Sequence, residues 1–164
     1  MSAFAAQKLS GTKREIYADL HAQLRGLLDG ERDPIANAAN MSALIMWGLE
    51  DLNWAGFYFL RGNELLLGPF QGKPACVRIA IGKGVCGTAV ARRETILVPD
   101  VHDFPGHIAC DSASNAELVI PLFQGSRLVG VLDLDSPVRN RFDTEDQAGC
   151  EALANLWSDM SDAL

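Results

Sequence analysis

An α+β fold with a mainly antiparallel central sheet flanked by helices is predicted by three features of this sequence. Apolar residues recur at helical spacing near both ends. The middle holds short strand-like apolar runs, and two pairs of them are joined by glycine turns too short for a parallel crossover. At 164 residues, 48% hydrophobic and 21% charged, the chain suits one globular domain that buries about two thirds of its unfolded surface. No repeat, low-complexity segment or linker divides it, so one domain is expected over 1–164, with an N-terminal helix at about 12–29 and a core at about 33–164.

The first helix rests on Ile16, Leu20, Leu24, Leu27 and Leu28, which recur along one face, and Gly30 closes it. A second begins at Asp33-Pro34, an N-cap followed by proline at the first helical position, and is expected to run to about Leu52. WAGFYFL (54–60) and ELLLGPF (64–70), separated by Arg61-Gly62-Asn63, read as a hairpin, and CVRIAI (76–81) as a third strand. Gly82-Lys83-Gly84 lacks the spacing of a phosphate-binding loop. It reads as a turn that starts a short helix near Val85 and places Cys86. ILVPD (96–100) is extended, and a long loop, FPGHIACDSASN, carries Cys110. AELVIPLFQ (116–124), the turn Gly125-Ser126 and RLVGVLDLD (127–135) form a second hairpin. Asp143 caps the last helix, whose apolar stripe is Cys150, Leu153, Leu156 and Trp157. The apolar faces of the first and last helices either pack inward or pair in a homodimer.

With 14 basic and 21 acidic residues the formal charge is −7, which repels nucleic acid and anionic membrane surfaces. The N-terminus lacks the basic region of a signal peptide, and no stretch approaches the roughly 20 apolar residues of a membrane span, so a cytoplasmic protein is expected. In that compartment Cys76, Cys86, Cys110 and Cys150 point to catalytic, redox or metal chemistry rather than a disulfide framework. Cys110 stands apart, because it lies in a loop of small and polar residues although unpaired cysteine is usually buried. Cys150 lies on the stripe of the last helix and is expected simply to pack in the core. Three thiols with His107 could hold zinc, but structural zinc sites bring close ligand pairs, and none occurs here.

Asp133 and Asp135 alternate with Leu132 and Leu134, so both carboxylates face one side of their strand, where like charges disfavour double ionisation. Glu117 comes close to them if the hairpin through Gly125-Ser126 pairs the two strands. The alternative is a solvated sheet face. Trp54 and Tyr58, four apart, share a face of the first strand, as wall or as ordinary core. His102 and His107 flank the Cys110 loop and read as exposed loop residues.

The element order, with GKGVCGTAV and LVGVLDLDS, resembles a GAF domain, which packs helices on one face of an antiparallel sheet and uses the other for a small-molecule pocket. The register of Cys76, Cys86 and Cys110 in CVRIAIGKGVCG and FPGHIACDSASNAELV, with NWAGFYFL and VLDLDSP, resembles the free methionine-(R)-sulfoxide reductases. That resemblance implies that Cys110 attacks the sulfoxide sulfur, Cys76 resolves it as a disulfide, Cys86 is an auxiliary thiol, and thioredoxin or a similar dithiol regenerates the enzyme. It further implies that Glu117, Asp133 and Asp135 bind the ammonium of free L-methionine (R)-S-oxide and assist at the oxygen. Trp54 and Tyr58 would face the substrate, and no metal or organic cofactor is needed. The chemistry is self-consistent: a thiolate attacking sulfoxide sulfur becomes a sulfenic acid, which a second thiol condenses to a disulfide. Two other classes stay open, a non-catalytic GAF module binding a small ligand with redox-sensing cysteines, and a cysteine hydrolase with His107 as base.

Overall fold

The computed structural model describes residues 9–108 and 111–164. Cys110, the expected nucleophile, lies outside the described residues. Among the described residues, four α-helices, six strands and a 3-10 turn follow one another as α1 (Lys13–Leu28), α2 (Pro34–Gly48), β1 (Trp54–Arg61), β2 (Glu64–Gly72), β3 (Arg78–Ala80), α3 (Gly84–Arg92), β4 (Ile96–Val98), the turn Val101–Asp103, β5 (Ala116–Gln124), β6 (Arg127–Ser136) and α4 (Thr144–Met160). The strands form one sheet in the order β3-β2-β1-β6-β5-β4, and every neighbouring pair is antiparallel.

The helix starts follow their capping chemistry. Thr12 accepts from the Glu15 amide, Asp33 from the amides of Ile35 and Ala36, and Asp143 and Asp146 close a reciprocal capping box on α4. The end of α2 departs from the sequence expectation: it stops at Gly48 rather than Leu52, and Asp51 turns the chain with a φ of 59° that a helix cannot contain. The third strand is also shorter than 76–81. Cys76 and Val77 belong instead to a connecting segment that turns over the sheet, with the Val77 carbonyl still accepting from the Leu67 amide.

Alternation along the strands divides the interior in two. One face of the sheet, carrying Phe57, Phe59, Leu118, Ile120, Leu132 and Leu134, packs against α1, α2 and α4. Trp157 of α4 is fully buried there, 5.4 Å from the Phe57 ring, and its indole N–H donates to the Pro34 carbonyl. Each such side chain contributes roughly 1.5–3 kcal/mol by leaving water. Leu20, Leu24 and Leu28 of α1 and Cys150, Leu153 and Leu156 of α4 lie in this same cluster, so the apolar stripes of the first and last helices are spent inward. The opposite face carries Tyr58, Leu65, Ile79, Val119 and Val131, is covered by the short α3 and connecting segments rather than by long helices, and leaves a cleft. No described helix is long and apolar enough to cross a membrane.

Candidate active site

Strand register builds the floor of that cleft. Trp54 of β1 sits opposite Asp135 of β6, which sits opposite Glu117 of β5; one step along, Gly56, Asp133 and Val119 form the next row. Residues two apart share a face, so Trp54, Tyr58, Glu117, Asp133 and Asp135 all line one cleft that opens to solvent. The solvated-face alternative therefore fails: Glu117 and Asp133 are each only 6% exposed. Gly56 makes room for the indole, since a Cβ there would come within 2.9 Å of Trp54 Cη2.

The two aromatics do more than line a wall. The Trp54 ring stacks on Phe70 and Tyr58, with centroids 5.1 and 5.8 Å away. Its N–H donates to the Lys73 carbonyl at 3.2 Å, and the Tyr58 hydroxyl donates to the Cys76 carbonyl at 2.9 Å. Both rings thus hook the 73–77 segment over the sheet and fix Cys76 at the cleft. Cys76 is disulfide-bonded, whereas Cys86 and Cys150 are free thiols.

Cys86 enters from α3. The turn before that helix needs left-handed backbone at Gly82 and Gly84 (φ 85° and 59°), as the turn reading of Gly82-Lys83-Gly84 expects. Gly87, one residue beyond Cys86, lies so close to the Ala80 carbonyl that a Cβ would collide with it. The close approach drives the Cys86 thiol into the floor, where it is 3% exposed and donates to Glu117 Oε1 at 3.9 Å. Cys86, Glu117 and Asp133 each bring a donor atom within 4.8 Å of the other two. This set of one thiol and two carboxylates differs from the three thiols and His107 weighed from the sequence.

Burial pushes the pKa of Glu117, Asp133 and Asp135 well above the usual carboxylate range, and their mutual repulsion adds to it. Burial likewise raises the Cys86 thiol and the Tyr58 hydroxyl, with Asp133 the nearest reinforcing charge. Among the described residues no lysine or arginine pairs with the three acids, and Asp133 Oδ1 has no hydrogen-bond partner. The arrangement favours the protonated form of these acids relative to an exposed carboxyl.

His107 is a correction to the sequence reading. Rather than standing exposed, its side chain is 15% exposed and its Nε2 lies 3.4 Å from Glu117 Oε2, while burial lowers its pKa. No local pattern marks it, because ten residues separate it from Glu117 and only the fold of the loop brings them together. His102 is exposed and pairs with Asp100, away from the cleft. Asp111 and Ser114, also unmarked in the sequence, line the cleft and accept from the Asn53 amide. Cys150 lies on the opposite side of the sheet beside Tyr17, as expected of a core residue.

Fold and cleft together define the class, a GAF domain with thiols and buried carboxylates on its ligand face, and a family model for the GAF domain matches residues 36–160. The chain is 55% identical over 141 residues to the free methionine-R-sulfoxide reductase of Escherichia coli, covering 86% of each chain. It is 44% identical over 152 residues to the Saccharomyces cerevisiae enzyme of the same name, covering 88% of this chain and 84% of that one. The structure of free methionine-R-sulfoxide reductase from Neisseria meningitidis in complex with its substrate superposes with a TM-score of 0.92 at 38% identity, over 96% of this chain and 95% of that one. The chain belongs to the free methionine-R-sulfoxide reductase family.

Proposed function

We propose that this protein reduces free L-methionine (R)-S-oxide to L-methionine. The observation that carries the reading is the trio of buried Glu117 and Asp133 with half-buried Asp135, which has no lysine or arginine partner among the described residues, on the floor of a cleft that Cys86 lines. An amino-acid ammonium supplies the missing positive charge, and methionine sulfoxide within a peptide chain has none to offer.

The Cys110 thiolate attacks the sulfoxide sulfur as the S–O bond breaks. A carboxyl of the trio delivers a proton to the oxygen, which is otherwise a poor leaving group. Burial raises the pKa of these acids, which favours the protonated form that a proton donor needs. The released hydroxide then attacks the Cys110 sulfur of the resulting S–S sulfonium, the S–S bond breaks, and methionine leaves behind a Cys110 sulfenic acid. The Cys76 thiol then attacks that sulfur, water leaves, and a Cys76–Cys110 disulfide remains for thioredoxin or another dithiol to reduce. The disulfide-bonded state of Cys76 and the anchoring of its carbonyl by Tyr58 support this role. Trp54 and Tyr58 give the S-methyl an apolar wall, and Cys86 holds Glu117.

Product analysis with dithiothreitol and three substrates tests the reading: L-methionine (R)-S-oxide, its S epimer, and a peptide containing methionine sulfoxide. Methionine formed from the R epimer alone is expected. Turnover of the peptide, or of none of the three, would overturn it.

A further inference from the structure

The floor of the cleft combines three features of a metal site. Its donors are mixed, one thiol and two carboxylates, with the Cys86, Glu117 and Asp133 atoms within 4.8 Å of one another and every one of these residues at least nine-tenths buried. A tetrahedral zinc site holds neighbouring donors about 3.3–3.8 Å apart, given bonds of about 2.0–2.3 Å, so closure requires side-chain shifts of roughly 1 Å. Within this set, Asp133 lines the cleft and its buried Oδ1 has no hydrogen-bond partner among the described residues. The outer side of the cluster is already braced, since His107 Nε2 lies 3.4 Å from Glu117 Oε2, the kind of contact that orients a ligating carboxylate.

We propose that Cys86, Glu117 and Asp133 bind a zinc ion when the cleft holds no substrate, and that zinc is therefore a competitive inhibitor of the protein. A thiolate selects a borderline-soft cation over magnesium or calcium, which take oxygen donors. Three protein ligands leave a fourth position facing the cleft, and the dication neutralises a cluster that has no lysine or arginine partner. The competition rests on the proposed role of the same carboxylates in holding the substrate, whereas the binding does not.

Because the other cysteines also bind zinc when reduced, the test uses a Cys76→Ser/Cys110→Ser background, which retains Cys86 and the core residue Cys150. Titration with Zn²⁺ against a chromophoric chelator is expected to show one ion per chain. Adding Cys86→Ser is expected to weaken binding at least tenfold, since even loss of a partner that only orients a ligand costs about 10–100-fold. The near-isosteric Asp133→Asn, which guards against a folding defect at Cys86, is expected to do the same. Magnesium at equal concentration is expected not to displace zinc. Unchanged affinity in either variant, or no uptake by the background protein, would overturn the site. In the wild-type enzyme zinc is expected to raise KM for the sulfoxide with kcat unchanged, and bound zinc without a change in KM would overturn the competition.

Discussion

Two buried acidic centres lie on opposite faces of the same sheet, each beside a buried cysteine, and they are built in opposite ways. On the helical face Asp146 is fully buried, yet it accepts from Lys13 Nζ at 2.6 Å, Tyr17 OH at 2.8 Å, Arg141 Nη1 at 3.2 Å and the Asp143 amide at 2.9 Å. Cys150 is 3.6 Å from the same tyrosine hydroxyl, and burial pushes its thiol up to about 12. On the cleft face Glu117 and Asp133 are as well hidden, but they have each other, Asp135, Cys86 and one histidine. A carboxylate surrounded by donors ties α1 to α4. In the proposed reaction, carboxylates left short of positive charge receive it from the substrate ammonium. Burial alone does not separate structural from functional acids, whereas the count of cationic partners does.

Removing the attacking thiol should sharpen this contrast most. Cys110→Ser is expected to lower kcat/KM for the sulfoxide by about 10³-fold or more with little change in melting temperature. Next, Glu117→Gln is expected to lower kcat/KM by about 10²–10³-fold while leaving stability unchanged or higher, because it removes a buried like-charge contact. Steady-state kinetics alongside thermal melts reads both quantities. Unchanged kinetics in either variant would break the assignment.

The two centres also respond oppositely to pH. The cleft acids have folded pKa values raised above the unfolded value of about 4, so their contribution to stability is full below that pH and is lost as pH rises through the raised values. At the α4 cap, the hydrogen bond from Lys13 lowers Asp143 to about 2, so its contribution is present above about pH 4 and is lost only as pH falls through about 2. Melting temperatures from about pH 5 upward are expected to fall with pH in the wild type and to fall less in Asp133→Asn. A wild-type curve flat to alkaline pH would contradict the raised values. The smallest effect is expected at Cys150→Ala, a loss of about 1 kcal/mol in chemical denaturation with turnover unchanged.

Much of this contrast is legible in the sequence, and the remainder is not for identifiable reasons. The alternation in LVGVLDLDS places Asp133 and Asp135 on one face, and the tight turn at Gly125-Ser126 brings Glu117 alongside, because strand period and turn length are local properties. Helical spacing likewise puts Cys150 in the core. What spacing does not show is whether a face is wet or dry. That depends on α3, on the 73–77 segment and on His107, Ile108, Asp111 and Ser114 lining the cleft over the sheet, and such coverage is a tertiary outcome. The same gap hid the placement of His107 and the hooks from Trp54 and Tyr58. The early end of α2 turns on Asp51 adopting a left-handed conformation, which nothing in the run MWGLEDL marks.

The most direct test of the central claim compares Asp133→Asn with Asp146→Asn in one experiment, measuring kcat/KM for L-methionine (R)-S-oxide and denaturation free energy for both. The account predicts that Asp133→Asn loses most of its turnover and keeps its stability. Asp146→Asn, which removes the negative charge that Lys13 and Arg141 pair with, should lose about 3–5 kcal/mol of stability and, while folded, keep its turnover. Full turnover in Asp133→Asn, or a stability loss there matching that of Asp146→Asn, would contradict it.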